Sequence, residues 1–238
     1  GNLGGLGFGG AGLPQRAIDE VLKRPQGDMA GIGFGLTESN GAGAAASGAV
    51  FRHAPRASGL ISPIVDLRIM DADGNTLPAG SMGEICLRGV TLMQGYWNDP
   101  HATAKAIRDG WFHTGDVGYV SDEGLLFVVD RIKDVINRAG EKIAAAEVES
   151  CLLQHPDLNE AAVFAMPDEG TGEAVAAAVV LREGCRLGEA ELQAHVAAHL
   201  AGYKVPARIF IRHEALPRNP AGKLLKADLK REYLSPGR

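Results

Sequence analysis

Residues 111–149, WFHTGDVGYVSDEGLLFVVDRIKDVINRAGEKIAAAEVE, separate two kinds of sequence pattern. Upstream, one helix and one strand are followed by short alternating strands, whereas downstream helices and strands are mixed. Inside the stretch an apolar run ends at Asp130, and charges crowd into residues 131–134. We therefore expect a domain boundary here, with one domain over 1–130 and the other over 131–238.

Length and composition are those of an ordinary globular protein with one large or two modest domains. The chain has 238 residues, of which 45% are hydrophobic and 22% charged, and its net charge is -5. Because no dense Lys or Arg run occurs, we expect no nucleic-acid partner. No apolar run is long enough to span a bilayer. Three widely spaced cysteines argue against a disulfide framework and favour a reducing, cytoplasmic location.

The first domain is predicted to be the end of a large layered α/β domain plus a small β-barrel-like subdomain. A helical stripe over about 13–24 precedes a short apolar, glycine-rich strand at 30–35. Residues 39–60, rich in Gly, Ala and Ser, predict a loop. Alternation and turns over 61–130 predict antiparallel strands in a barrel or strongly bent sheet.

The second domain, 131–238, is predicted to be a compact, mobile α+β domain. Its predicted elements are a hairpin over 134–143, a helix over 146–154, strands over 160–166 and 174–181, a helix over 187–200, a strand over 207–211 and a terminal helix from Lys226.

Polar side chains follow the strand predicted at 30–35. Open α/β sheets bind ligands at the carboxyl ends of their strands, so Thr37 and Glu38 are candidate ligand contacts. Taken alone, the commoner explanation is a helix N-cap at Thr37 or Ser39 with Glu38 solvated.

Asp116 ends a Thr-Gly turn that follows an aromatic pair. A carboxylate there can accept two sugar hydroxyls, although an isolated Asp more often bonds its own backbone. Arg131 and Lys133 are two residues apart and project to one side of an extended segment. They can hold an anion, or pair with neighbouring carboxylates as most surface charges do.

Lys223 closes a Pro- and Gly-containing turn, residues 219–223. A lysine on so stiff a turn can present a point charge to a site, although a solvent-exposed lysine is the commoner case.

Two further patterns are expected to be structural. His195 and His199 have the i, i+4 spacing of zinc-binding pairs, but no Glu lies between them and cysteines are few, so we expect a solvated helix face. The Gly5–Gly10 run matches G-x-G-x-x-G without a preceding strand, which favours a glycine-rich turn over a dinucleotide site.

Together and in this order, the motifs resemble the adenylate-forming acyl-CoA synthetase family (AMP-dependent synthetases and ligases), in its C-terminal portion with the hinge and the small C-terminal domain. The matching segments are Gly9-Gly10-Ala11 with Leu13-Pro14, Phe34-Gly35-Leu36-Thr37-Glu38, Gly83-Glu84-Ile85, Gly95-Tyr96-Trp97, the residues 110–116, the residues 130–134 through 147–149, and Asn219-Pro220-Ala221-Gly222-Lys223.

The resemblance implies a two-step reaction. ATP and a carboxylic acid, here a fatty or aryl acid, give an acyl-adenylate and pyrophosphate, and the thiol of coenzyme A then displaces AMP. The first step brings two anions together, so fixed cations and Mg²⁺ are needed to relieve the repulsion.

The resemblance also assigns roles to residues of the first domain. It implies that Thr37 contacts phosphate, that Glu38 binds Mg²⁺ as the metal ligand, and that Asp116 takes the ribose hydroxyls. The implied nucleotide-binding residues are Gly9, Gly10, Ala11, Phe34 (stacked on adenine), Gly35, Asp116 and Arg131.

In the second domain the resemblance implies a swing between the two steps. Lys133 is the implied hinge, and Lys223 would bridge the attacking carboxylate and the α-phosphate in the first step. The swing would withdraw Lys223 and bring Ala139 and Gly140 to the pantetheine arm of coenzyme A.

Departures from the family pattern set further expectations. The family's phosphate loop would lie upstream of Gly1, so we expect an N-terminal part of the same enzyme to be a partner and this chain alone to be inactive. Ala145 stands where relatives commonly have Pro. The alternatives are a carrier-protein-loading adenylation domain, disfavoured because the chain ends soon after Lys223, and a non-catalytic nucleotide-binding fragment.

Overall fold

The computed structural model describes residues 6–9, 15–24, 30–220 and 222–234. It divides the chain into two compact units, Gly1–Ile132 and Lys133–Arg238. In the first unit the elements are β1 (Leu6–Gly9), α1 (Gln15–Leu22), β2 (Ala30–Gly35), β3 (Gly43–Ser47), α2 (Gly48–His53), β4 (Gly59–Ile61), β5 (Val65–Met70), β6 (Gly83–Gly89), α3 (Pro100–Ala106), β7 (Ile107–Arg108), β8 (Trp111–Val120) and β9 (Leu125–Arg131).

In the second unit the chain forms a smaller mixed sheet with three helices. Its elements are β10 (Ile136–Arg138), β11 (Glu141–Ile143), α4 (Ala145–Leu152), β12 (Leu158–Asp168), β13 (Gly172–Leu181), α5 (Glu189–His199), β14 (Arg208–Arg212) and α6 (Lys226–Leu234).

The first unit begins with a parallel β–α–β arrangement. β1 and β2 pair in parallel with α1 between them in the chain. Val21 of α1 is buried in one cluster with Ala30 and Ile32 of β2, which fixes the helix against the sheet. The predicted helix over 13–24 and the strand over 30–35 are therefore present within the described residues. The glycine-rich turn expected in the Gly5–Gly10 run is wrong for residues 6–9, which form β1 because they pair with β2.

The remaining strands of this unit extend the same sheet in antiparallel fashion. The order is β1-β2-β3-β4-β9-β8-β6-β5, with β7 paired to β8. Among the described residues this sheet stays open, so the strands predicted as a barrel-like subdomain do not close into a barrel. The predicted mixture of α/β and α+β structure is confirmed.

The predicted loop over residues 39–60 is wrong, because this stretch contains β3, α2 and β4. Its small residues allow backbones to approach closely. A Cβ at Gly43 would lie 2.3 Å from the carbonyl oxygen of Phe34, and one at Gly59 would lie 2.0 Å from the carbonyl carbon of Ala45. Glycine weakens an isolated strand, but here its missing side chain permits neighbouring strands to pair.

The second unit is built on the antiparallel pair β12 and β13, whose two faces are both covered. Alternate residues of β13 serve different cores: Val175 and Val179 pack with residues of α4 and α5, whereas Ala176 and Ala178 pack with Leu229 of α6. This two-sided burial explains the continuous apolar run of β13. Among the described helices, none has both the length and the apolar character that crossing a membrane requires.

Candidate functional site

Asp116 lies within β8, where it faces Arg131 of β9 in the strand register. The carboxylate is nearly buried, with the residue 6% exposed, and its Oδ1 lies 3.3 Å from Nε of Arg131. The backbone N–H of Asp116 donates to Oγ1 of Thr114 at 3.0 Å. The structure thus brings together Asp116 and Arg131, the carboxylate and the cation that the resemblance implies as nucleotide contacts.

Glu84 holds an irregular part of β8 just before Asp116, so the predicted Thr-Gly turn is instead a local irregularity within a strand. Its Oε1 accepts the N–H of Gly115 at 3.0 Å, and its Oε2 lies 2.8 Å from Nδ1 of His113. Gly115 has a φ of +71°, which the missing side chain permits. This role of Glu84 was not predicted from the sequence, in which the Gly83-Glu84-Ile85 motif was the available indication.

Cys86 of β6 pairs with His113 of β8 and is fully buried. Burial, and then the charge of Glu84, raise the pKa of the Cys86 thiol to about 12. The thiol therefore stays protonated at neutral pH and is not a nucleophile.

Glu38 lies in a short 3-10 turn, Thr37–Ser39, that directly follows β2. Oγ of the buried Ser39 accepts the N–H of Leu36 at 3.1 Å and lies 2.6 Å from the carbonyl oxygen of Ala42. Ser39 therefore holds the backbone of the turn from its last position, and the predicted N-cap at Thr37 or Ser39 is wrong because Leu36 occupies that position. Thr37 is exposed and Glu38 is half-buried.

Tyr96 is a contact of Glu38 that the sequence analysis did not find. Its hydroxyl donates to Oε1 of Glu38 at 2.9 Å across 58 residues of sequence. Burial, together with this hydrogen bond and the negative charge of Glu38, raises the pKa of the Tyr96 hydroxyl. Glu38 offers only oxygen ligands, the kind that Mg²⁺ prefers, so the donor chemistry fits the implied ion.

The carboxyl ends of β1 and β2 lie side by side, with Gly9 opposite Gly33. Phe34 is partly buried against the core of the first unit. A Cβ at Gly35 would lie 2.1 Å from the carbonyl oxygen of Gly41, so only glycine fits there. The other two predicted residues of this group, Gly10 and Ala11, lie outside the described residues.

Lys223 lies in the second unit on a turn fixed by Asn219. Lys223 donates its backbone N–H to Oδ1 of Asn219 at 2.8 Å, and Asn219 donates its own to the carbonyl oxygen of Lys223 at 2.9 Å. Arg218 braces the turn by donating to the carbonyl oxygen of Gly222 at 3.0 Å and to Glu160 at 2.7 Å. Lys223 is exposed on this rigid support.

The remaining predicted residues also lie on exposed turns. Lys133 is in the 3-10 turn Ile132–Asp134 and is exposed. Ala139 and Gly140 form the tip of the hairpin between β10 and β11, with φ values of +50° and +93°. The N–H of Ala139 donates to the carbonyl oxygen of Thr171 at 2.9 Å, which anchors the tip.

Comparison with known proteins identifies the class. Residues 1–97 match the family model described as AMP-binding enzyme, and residues 147–223 match the AMP-binding enzyme C-terminal domain. The chain therefore belongs to the adenylate-forming acyl-CoA synthetase family.

Relatives in this family are named for different acceptors of the acyl group. 4-Coumarate–CoA ligase 2 of Nicotiana tabacum is 38% identical over 93% of this chain and 42% of the ligase. Fatty acid–[acyl-carrier-protein] ligase ScoC of Streptomyces coeruleorubidus is 38% identical over 95% of this chain and 44% of its own length. The chain thus spans less than half the length of these curated relatives.

Solved structures agree with the fold. o-Succinylbenzoate CoA synthetase MenE of Bacillus subtilis, in complex with the acyl-adenylate OSB-AMP, matches with a TM-score of 0.86 at 33% identity, covering 94% of this chain and 45% of that one. The same enzyme has been solved with ATP and a magnesium ion.

Proposed function

We propose that this chain is the C-terminal portion of an ATP-dependent acid–CoA ligase. The observation that supports the proposal most is Asp116, whose carboxylate is nearly buried and has the guanidinium of Arg131 beside its Oδ1. Burying a carboxylate is costly unless partners compensate it, as Arg131 does here, and the compensated carboxylate can then be used as a hydrogen-bond acceptor. In an AMP-binding family, accepting ribose hydroxyls is the use that suits its chemistry.

Binding of the nucleotide would involve the strand ends beside Gly9. Phe34 offers a ring face to adenine, and the absence of side chains at Gly9 and Gly35 lets a ligand approach the backbone. Arg131 would offset the negative charge of Asp116 in its nearly buried position. These roles, and those of Gly10 and Ala11, are proposals from the family pattern.

Glu38 would hold Mg²⁺, and Thr37 would contact phosphate. When bound, the ion supplies positive charge to phosphate oxygens during attack by the carboxylate. Tyr96 orients Glu38 through its hydrogen bond and leaves Oε2 for the ion.

Residues 131–238 would act as the mobile domain, pivoting near Lys133. Lys223 would bring its charge to the attacking carboxylate and the α-phosphate in the first step. In the second step Ala139 and Gly140, which present little side chain, would let the pantetheine arm of coenzyme A pass close to the backbone. A cytoplasmic location and a fatty or aryl acid substrate also stay proposals.

A chimera tests the role of Lys223, by joining the upstream part of the tobacco ligase to this chain. In the chimera, Lys223→Ala is expected to lower formation of the acyl-adenylate by at least about 100-fold, because one fixed charge on the reacting groups is lost. Thioester formation from supplied acyl-adenylate and coenzyme A is expected to be unchanged. Separate assays of the two half-reactions provide the measurement.

Lys142→Ala, another exposed lysine of the second unit, is the matched control. Equal loss of both half-reactions in the Lys223→Ala chimera would contradict the proposed role. A chimera that makes acyl-adenylate but never a thioester with coenzyme A would contradict the ligase itself.

The second candidate function is loading of a carrier protein. It is favoured by the similarity to ScoC, an acyl-carrier-protein ligase, which covers 95% of this chain. Both acceptors present a pantetheine thiol, so the hairpin tip at Ala139 and Gly140 suits either. Faster transfer from the chimera to a phosphopantetheinylated carrier than to coenzyme A would select this function.

A further inference from the structure

A cluster of sulfur and imidazole ligands lies in the second unit, between α4 and α5. Cys151 of α4 and His195 and His199 of α5 each offer one ligand atom, and these atoms all lie within 4.8 Å of one another. Cys151 is buried, His195 is half-buried and His199 is exposed. Cys151 lies at least 44 residues before either histidine in the sequence. The spacing of the His pair alone therefore predicted only a solvated helix face.

Both imidazoles are held in a defined tautomer by backbone carbonyls. Nε2 of His195 lies 3.0 Å from the carbonyl oxygen of Cys151, and Nδ1 of His199 lies 2.8 Å from that of His195. Carbonyl oxygens only accept, so each of these ring nitrogens carries the proton. The other nitrogen of each ring, Nδ1 of His195 and Nε2 of His199, then keeps its lone pair. A second-shell carbonyl that fixes the ring in this way is typical of metal-binding histidines.

The third histidine of the neighbourhood does not share this arrangement. His155 packs edge-on against His195 with ring centroids 5.1 Å apart. Its Nδ1 accepts the N–H of Asp157 at 3.3 Å, so its acceptor nitrogen is already used. The candidate ligand set is therefore the thiol of Cys151, which would lose its proton on binding, and the imidazoles of His195 and His199.

We propose that Cys151, His195 and His199 bind Zn²⁺. One sulfur and two nitrogens form a borderline-soft set that suits zinc, and three protein ligands leave a fourth tetrahedral position for water. At about 2.0 Å for Zn–N and about 2.3 Å for Zn–S, the ligand atoms must lie roughly 3.3–3.6 Å apart. The present separations, all within 4.8 Å, must therefore shorten when the ion binds. Binding replaces the S–H bond of Cys151 by an S–Zn bond and releases one proton to water.

A second group of potential ligands, Glu84, Cys86 and His113, is a weaker candidate. Nδ1 of His113 and both oxygens of Glu84 already serve one another and the N–H of Gly115. Arg108 also lies 3.6 Å from Glu84, which disfavours a cation there. The contrast supports the site between α4 and α5, because its ligand nitrogens have no such internal role.

Titration with Co²⁺ under reducing conditions tests the proposal on the whole chain. A near-ultraviolet band from thiolate-to-cobalt charge transfer is expected, together with visible bands of four-coordinate intensity, and added Zn²⁺ should remove both. His199→Ala is expected to weaken Co²⁺ binding at least about tenfold. Because His199 is exposed, this variant leaves the core intact. Cys151→Ser is expected to abolish the charge-transfer band.

Matched controls are His213→Ala, an exposed histidine of the same unit, and Cys185→Ser, which removes a thiol outside the cluster. Both should bind Co²⁺ like the unchanged chain. Absence of a thiolate band at saturating Co²⁺, or equal affinity in His199→Ala and the unchanged chain, would overturn the proposal. So would a band that survives in Cys151→Ser and disappears in Cys185→Ser.

Discussion

The hydroxyl of Tyr96 donates a hydrogen bond to Glu38, the carboxylate that we propose as the Mg²⁺ ligand. Replacing Glu38 by Gln should lower the pKa of Tyr96, because the substitution removes a negative charge and weakens an acceptor while the burial of the ring remains. Residue-specific NMR of labelled tyrosine rings, followed from neutral to alkaline pH, measures the change.

The raised pKa of Tyr96 also makes the free energy of unfolding depend on pH. A phenol whose pKa is raised on folding favours the folded state below its unfolded pKa, and this contribution is lost as the pH rises through the folded pKa. The unchanged chain should therefore lose stability at alkaline pH more steeply than Glu38→Gln. Glu123→Gln, at an exposed carboxylate paired with His53, is the control, and a pKa of Tyr96 that moves equally in both variants would refute the link.

Single residues were predictable where the chemistry is local. Asp99 as N-cap with Pro100 following was predictable from the dipeptide, and Asp99 does accept the N–H of Ala102 at 2.8 Å. The partners of Glu84 and Tyr96 were not predictable, because their bonds join residues 31 and 58 positions apart. No local pattern encodes such a contact.

At the scale of elements, the hairpin between β10 and β11 carries a local strain. Ala139 adopts a φ of +50°, which a Cβ disfavours, and Asn tolerates this region better. Ala139→Asn should therefore stabilise the chain by roughly 0.5–1 kcal/mol, whereas Gly140→Ala should destabilise it by about 1–2 kcal/mol. Urea unfolding of both variants measures these differences.

Ala72→Asn is the control for the added amide, since Ala72 is exposed and is not among the residues with positive φ. A gain of similar size in Ala72→Asn would show that the amide, and not the turn, is responsible. Loss of stability in Ala139→Asn would show that the turn is held in another conformation.

Most elements could be predicted because periodicity and turn residues determine them locally. The hairpin around 138–140 and the helix from Lys226 are examples. The strands β3 and β4 could not be predicted, because Gly, Ala and Ser give no period and the pairing depends on what lies opposite. Phe34 lies opposite Ala44 in the pairing of β2 with β3. The backbone atoms that approach a glycine of these strands can be identified only from the three-dimensional structure.

At the scale of the whole molecule, this chain alone is expected to catalyse no ATP–pyrophosphate exchange. It spans 42% of the length of the tobacco ligase, and the residues that the remainder would contribute to the phosphates are not supplied by it. Incubation with ATP, Mg²⁺, a panel of acids and labelled pyrophosphate is the measurement, with the chimera as positive control. Ready exchange by the chain alone would be contrary to this expectation.

A division into two units was predictable from the change of sequence pattern at 131–134. The open shape of the sheet in the first unit was not predictable. The strands of the first unit form one open sheet because β4 pairs with β9, which joins residue 59 to residue 126. Alternation predicts strands and leaves their long-range order open. The assignment of a nucleotide-binding role to 1–130 and of mobility to 131–238 stays a prediction.

The proposal depends most on Asp116 holding the sugar of the nucleotide, and calorimetric titration of the chain with AMP examines that contact directly. Asp116→Asn should weaken AMP binding roughly 10- to 100-fold, the loss expected for charge-assisted hydrogen bonds. Asp73→Asn, the same change at an exposed position, should leave binding unaltered. Equal affinity for AMP in Asp116→Asn and the unchanged chain would contradict the proposal.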